Sequence, residues 1–458
     1  MKHPVILFLF IVFGSLTLPA QTGNNEQELV DLLYGKRIKE AIEYYDKHKD
    51  NLLHPFTVDS YKLFTDIYLN KSDSVFLQLP LFMEKYYGSV FDDDLVFFLP
   101  SLYFDAGDYV NGLKMVEILE SFFLKRNEKI EKMLEELTRL KNSYPISQLE
   151  IHNDSKTEDV HIPVKTEPLL LFEAKYNGSP LQTVFDTGSS LPFLTDKKNA
   201  DKAGIKIKEA YGMNMMNGVE RSSANGWIDS IRIGSLLIKN VPVFVFEQEL
   251  MKEFTPDSIL MDKEKKAKAD SIFDQMQIIM GMPVIQMLNH IQFNFPKNEM
   301  VISLNRKDPE NENNNMYVES NYLYLKSTIN DIDFSAFFDT GANLGKTAVV
   351  LTNQFYQVHK DKFPTLSPDE NESLPKLCSE GEVSSSPTLT KPASFILSIN
   401  GNRMDLHKEA IIIDPDSDSY SIPFSFQKEG FLTLEFMKKF RNVTFDFHNM
   451  MFDGDTNE

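Results

Sequence analysis

Two short stretches of this chain repeat one pattern. VFDTGSSLPFLT (184–195) and FFDTGANLGKTA (337–348) each place Asp-Thr-Gly after an apolar run ending in Phe, and 339 − 186 = 153. Each of these residue types makes up roughly 5–7% of an average protein, so one triplet arises by chance at about one position in 5,000. A second repeat follows at nearly the same offset. IIMGMPVIQMLNHIQFNF (278–295) and GFLTLEFMKKFRNVTFDF (430–447) end in Phe-x-Phe, with 445 − 293 = 152. The later part of the chain is therefore an internal duplication, each copy presenting one aspartate just beyond a strand.

The surrounding pattern supports strands. From about residue 160 the apolar period is two, in PLLLFEAKYN, LQTVFDTG, WIDSIRIGS and NVPVFVFEQ, separated by Gly, Asn and Pro turn signals. Two charged stretches, MDKEKKAKAD (261–270) and RKDPENENNNM (306–316), read as solvated loops, the second as a linker between the copies. Residues 25 to about 148 instead carry helical spacing, as in ELVDLLYGKRIKEAIEYYDKH and NGLKMVEILESFFLKRNEKIEKMLEELTRL. Gly35, Lys71 and Gly107 occupy matching places there, with 71 − 35 = 36 and 107 − 71 = 36, the kind of period that stacked helical hairpins produce.

The amino terminus, MKHPVILFLFIVFGSLTLPAQ, has a basic start, an apolar run and small residues up to Ala20, which predicts a cleaved secretory signal over 1–20. The protein is expected to be exported, to the periplasm or beyond. Its single cysteine, Cys378, allows no intramolecular disulfide, and Glu380 and Glu382 beside it disfavour a reactive thiolate. A formal charge of −20 argues against a phosphate backbone as partner, so no nucleic acid is expected.

On the two triplets the chain resembles the aspartic peptidases, the pepsin and retropepsin group, over roughly residues 160–455. In that family each lobe contributes Asp-Thr-Gly and, further on, a hydrophobic-hydrophobic-Gly segment leading into a short helix; here 281 − 186 = 95 separates Asp186 from Gly281. With the helical region ahead of it, the resemblance implies a multidomain chain: an all-β bilobal aspartic-peptidase fold preceded by an α-helical repeat-like domain, similar to degenerate tetratricopeptide repeats. The expected order is a signal at 1–20, helical domain 21–150, first lobe 160–305, linker 306–316 and second lobe 317–455.

The resemblance also implies roles. Asp186 and Asp339 form the catalytic pair, sharing a proton and activating a water, with no metal or cofactor. Thr187 and Thr340 lock the two loops together, Gly188 and Gly341 permit the tight turns, and Ser189 supports its aspartate where the second copy has Ala342. Two departures stand out: Thr433 lies opposite Gly281, and Gly430 opposite Ile278. Asn217-Gly218 is a strong hairpin-turn signal and marks a flap near 212–228, whose Met213, Met215, Met216 or Trp227 are candidates to line a substrate groove. About 365–392, the second-lobe counterpart, is Ser-, Pro- and Glu-rich and reads as an irregular loop.

Rival readings fit less well. Gly345-Lys346-Thr347 imitates a phosphate loop, but the glycine it requires falls at Thr340, so no nucleotide is expected. No Gly-x-Ser-x-Gly elbow and no His-Glu-x-x-His occurs. The expectation is a monomeric aspartic endopeptidase acting on peptide or protein substrates, with the helical domain as a surface for a protein partner. The alternative is a non-catalytic module of the same fold that binds peptides or proteins.

Overall fold

In the computed structural model the described residues are 24–34, 38–52, 54–69, 71–86, 100, 109–122, 131, 150–155, 159–207, 211–216, 219–250, 263–305, 314–319, 321–342, 348–363, 367–368, 388–391, 395–399, 401–406, 411–414 and 429–456. The signal segment, Gly35, Gly107, Asn217-Gly218, linker residues 306–313, residues 343–347 and Cys378 lie outside them. The chain divides into two units, Met1–Ile146 with Val318–Ser320, and Ser147–Tyr317 with Asn321–Glu458.

In the first unit the helical spacing produces helices α1 (Asn24–Tyr34), α2 (Ile38–His48), α3 (Pro55–Tyr68), α4 (Ser72–Tyr86) and α5 (Tyr109–Phe122). On α4, Val75, Leu79, Phe82, Met83 and Tyr86 are buried, a stripe at three- and four-residue steps that lies along one helix face. Proline at the first turn of α3 suits a position whose N–H has no helical partner. Helix α1 packs against α2 and α3, and α3 against α4. The α3–α4 contact carries polar bonds: Asp66 accepts from Ser74 Oγ (2.7 Å) and Gln78 Nε2 (2.8 Å). Helices α2, α4 and α5 begin at 38, 72 and 109, steps of 72 − 38 = 34 and 109 − 72 = 37. Among the described residues no helix is long and apolar enough to cross a membrane.

The second unit is built from strands. In its first half, Ser179–Phe185 runs into Asp186, with Ile278–Met280 parallel to it and antiparallel to Phe193–Asp196. In its second half, Ile332–Asp339 ends on Asp339, with Gly430–Thr433 parallel to it and antiparallel to Val349–Thr352. Phe185 faces Met280, and its counterpart Phe338 faces Leu432, so the duplicated segments pair in the same register. A further sheet joins the halves in the order Asp159–Pro163, Glu299–Ser303, His290–Asn294, Phe440–Asp446, Met451–Thr456. Its central pair is antiparallel with Gln292 opposite Thr444, and 444 − 292 = 152. Equivalent residues face each other only on a local two-fold axis, so the axis passes through that pair.

Beside the axis lie the repeated phenylalanines. Phe185 meets Phe293 edge-on at 5.0 Å, its counterpart Phe338 stacks on Phe445 at 5.9 Å, and Phe293 meets Phe445 at 6.3 Å. All four are at most 1% exposed. Burying a side chain of this size contributes about 1.5–3 kcal/mol, so the Phe-x-Phe repeat is the core on which both aspartate strands rest.

Three expectations are corrected. Of the stretch 261–270, residues 263–270 do not form a loop: Lys263–Phe273 is a helix, built from good helix formers with a Lys266–Asp270 ion pair one turn apart, and its end, Ile272 and Phe273, packs on the cluster of Leu169, Val184 and Ile279. Glu150 opens a strand, Glu150–Asn153, paired with Leu236–Lys239, so strand structure begins within the range assigned to the helical domain. The linker cannot extend to 316, because Met316 begins a strand.

Candidate active site

Each aspartate sits in a turn tied to its own amides. Gly188 N donates to Asp186 Oδ1 (2.9 Å), while Gly341 N (2.8 Å) and Ala342 N (3.0 Å) donate to Asp339 Oδ1. The two turns are then bonded to each other. Thr187 N donates to Thr340 Oγ1 and Thr340 N to Thr187 Oγ1, both at 3.0 Å. The hydroxyls in turn donate across the axis, Thr187 to Phe338 O (2.6 Å) and Thr340 to Phe185 O (2.9 Å). Both threonines are fully buried, so each of these bonds replaces water that cannot reach the groups.

The glycines are required by what the opposite half brings. A Cβ on Gly188 would lie 2.3 Å from Asp339 Cγ, and one on Gly341 would lie 2.5 Å from Asp186 Oδ1. Any side chain at either position would push the carboxyls apart. With glycine there, the Asp186 and Asp339 carboxyls hydrogen-bond each other.

That contact sets the electrostatics. Each aspartate keeps some exposed surface, but its carboxyl is enclosed by protein atoms. Burial pushes both above the ordinary carboxylate range. Asp339 is pushed well above it, because the charge of Asp186 and the bond between the two add to burial. For Asp186 the amides of Gly188, Gly341 and Ser189 oppose the rise. Two carboxyls in this relation titrate as a unit and share one proton over a range of pH.

The departures between the copies also have a geometric cause. Gly281 N donates to Pro192 O and Met282 N to Ser189 O; in the second half Thr433 N donates to Ala348 O and Leu434 N to Ala342 O. The span from Ser189 to Pro192 is 192 − 189 = 3, and from Ala342 to Ala348 it is 348 − 342 = 6, so the second loop is three residues longer. The tighter first loop presses on its neighbour: a Cβ on Gly281 would lie 2.1 Å from Leu191 O and 2.9 Å from Ser189 Oγ. With Ala342 and a longer loop, the second half accommodates Thr433, whose hydroxyl caps the following helix by accepting from Glu435 N. Gly430, at φ 151°, has its own constraint, since a Cβ there would lie 2.1 Å from Val350 O. The support from Ser189 to the Asp186 carboxyl comes through its amide.

A hairpin stands where the flap is expected. Gly212–Met216 pairs with Val219–Glu220 and onward to Ser223, the last rung being Met216 opposite Val219; the expected turn pair, Asn217-Gly218, lies outside the described residues. Met213 is 62% exposed on this hairpin. Trp227 lies away from the last rung: it pairs with Lys206 and Pro242, 227 − 219 = 8 residues down the strand from Val219, about 26 Å at extended spacing. In the second half Ser367–Pro368 pairs with Thr388–Lys391, and residues 369–387 between them lie outside the described set.

Two residues at the site carry no sequence signal. Asn321 Nδ2 donates to Ser190 O (2.9 Å), and the Tyr322 hydroxyl is hydrogen-bonded to the Ser190 side chain close to both aspartates. Burial, Asp339 and Asp186 push this phenol up. In NYLYLKSTI, Tyr322 reads as an ordinary strand residue.

The fold and site thus define a duplicated β structure whose halves together hold one buried carboxyl pair. Residues 172–283 match the aspartyl protease family model, a span that includes Asp186, the hairpin and Gly281. This match supports aspartic protease activity in the strand-built unit. A retropepsin-like aspartic protease from Rickettsia conorii is similar at 15% identity over 34% of this chain and 91% of that chain, with a TM-score of 0.21, too low to bear on fold or activity. No curated protein sequence matches this chain.

Proposed function

We propose that this protein is an exported aspartic endopeptidase with a bilobal peptidase fold in a single chain and Asp186 and Asp339 as its catalytic pair. The observation that carries the reading is the hydrogen-bonded carboxyl pair, held by matching threonine and glycine contacts from each half. A binding module needs at most one charge here; a pair that shares a proton supplies a base and an acid together.

In the proposed reaction a water lies between the carboxyls. The ionised member takes a water proton as the oxygen forms its bond to the peptide carbonyl carbon. The protonated member hydrogen-bonds the carbonyl oxygen as it gains charge. Collapse of the tetrahedral intermediate breaks the C–N bond, with a proton passing to the departing nitrogen. The monoprotonated pair is the working state, and because both carboxyls are raised, activity extends from acid toward neutral pH. The hairpin at 212–223 serves as the flap over the substrate. Both carboxyls come from one chain, so a monomer suffices. Helices α1 and α2 pair, as do α3 and α4, and α2, α4 and α5 begin 34 and 37 residues apart; both features support tetratricopeptide-like repeats that recruit a protein partner.

The test is cleavage of an unbiased peptide library by residues 21–458, compared with Asp186→Asn and Asp339→Asn, from about pH 3 to pH 8. Cleavage by the parent alone is the expected result. Peptide binding without cleavage would replace the proposal by a non-catalytic module, and equal cleavage by all three would remove the carboxyls from the mechanism.

A further inference from the structure

Asn321 and Tyr322 belong to the second half of the strand-built unit, yet both end on Ser190, in the loop that carries Asp186. Asn321 reaches the Ser190 carbonyl from a backbone at φ 67°, a conformation that asparagine adopts more readily than most residues. Tyr322 is 9% exposed, and its ring meets Phe337 edge-on at 5.3 Å, two residues ahead of Asp339. One end of this side chain is therefore packed on the strand leading to Asp339. The other end is bonded to the Asp186 loop through Ser190.

The duplication shows that this link is one-sided. Leu171 faces Val184 as Tyr324 faces Phe337, with 324 − 171 = 153, so Pro168 and Leu169 are the counterparts of Asn321 and Tyr322. Leu169 is buried in the apolar cluster with Leu171, Val184 and Ile279, and neither leucine nor proline has a polar side-chain atom to offer the Asp339 loop. The first loop is bridged from across the axis by side chains that the second half alone supplies.

We propose that Tyr322, through the bond of its hydroxyl to Ser190, is a positioning residue that sets the Asp186 loop against Asp339, with Asn321 holding the same loop by its backbone. The role rests on the catalytic reading of the carboxyl pair. An aromatic brace of this kind adds what the threonine exchange lacks, since that exchange is symmetric and fixes the base of both loops, whereas Ser190 lies past the turn on the first loop only.

The test uses Tyr322→Phe, which keeps the ring on Phe337, Ser190→Ala, the double variant, and Asn321→Gly, which keeps the backbone conformation and removes the amide. The expected result is a kcat about tenfold lower for Tyr322→Phe and for Ser190→Ala, with KM within about twofold and no further loss in the double variant. Amide hydrogen exchange at residues 188–190 should quicken in Tyr322→Phe and Asn321→Gly, while exchange at 341 and 342 stays at the parent rate. Additive losses in the double variant, a change in KM with kcat intact, or equal quickening of both loops would overturn the proposal. If the parent cleaves no peptide the catalytic reading fails separately, and unchanged exchange at 188–190 in Tyr322→Phe then overturns the brace by itself.

Discussion

The two halves of the strand-built unit agree near the axis and differ away from it. At the axis Thr187 and Thr340 exchange bonds at the same 3.0 Å, Gly188 and Gly341 each make room for the opposite carboxyl, and Phe293 and Phe445 pack under both. Away from it, Ser189 over Gly281 becomes Ala342 near Thr433, the loop gains three residues, and the two-residue interval between Met216 and Val219 becomes a 19-residue interval, 387 − 369 + 1. A residue that touches both halves is constrained twice, because its change disturbs two loops. A residue that serves one half answers only to its own neighbours.

The largest effect that would break this comparison is at the position opposite Thr433. Gly281→Ala places a Cβ 2.1 Å from Leu191 O, where backbone must move, and should cost about 3 kcal/mol in denaturant unfolding. Thr433→Ala removes the hydroxyl that caps the following helix and should cost about 1 kcal/mol. Equal costs would mean that the two loops are packed alike.

At the axis the halves should behave identically. Thr187→Ala and Thr340→Ala each leave one amide and one carbonyl of the other half without its partner, and each should cost about 2 kcal/mol, matching within about 0.5 kcal/mol. The double variant should cost less than the sum, because the bonds form one network. A clear inequality between the two singles would show that the axis is less symmetric than its bonds.

The smallest effect concerns the charge of the pair. A carboxyl whose folded pKa is raised holds its proton more tightly in the fold than in the unfolded chain. Its contribution to stability is therefore present at low pH and lost as pH rises through the folded values of the pair. Asp339→Asn removes that loss. Its Tm should exceed the parent's at pH 7 by on the order of 2 °C, and the difference should shrink below the ordinary carboxylate range near pH 4. A difference independent of pH would mean that the carboxyls do not interact.

What was legible in the sequence follows the same division. Asp186 and Asp339, with their threonines and glycines, stand 153 residues apart and the Phe-x-Phe pairs 152 apart, because residues around the axis occupy equivalent environments and keep the same types. The strands Gly212–Met216 and Val219–Ile233 pair on either side of the Asn217-Gly218 signal, which itself lies outside the described residues. The three-residue difference after Ala342 was hidden, because FLT and VVLT are both short apolar strands that align at more than one shift. The Lys263–Phe273 helix was masked by its charge, with only Ile272 and Phe273 at its end to anchor it. Tyr322 could not be found, since its role depends on Ser190, distant in the chain and brought near only by the fold.

The central claim is that one working site is made from two half-sites. The most direct measurement is kcat/KM for Asp186→Asn and Asp339→Asn side by side with the parent, across about pH 3 to 8. Both variants should fall by about 10²-fold or more at every pH, because either carboxyl alone lacks a partner to share the proton. A variant that keeps the parent's activity at any pH in that range would contradict the account, since the surviving aspartate would then be a whole site by itself.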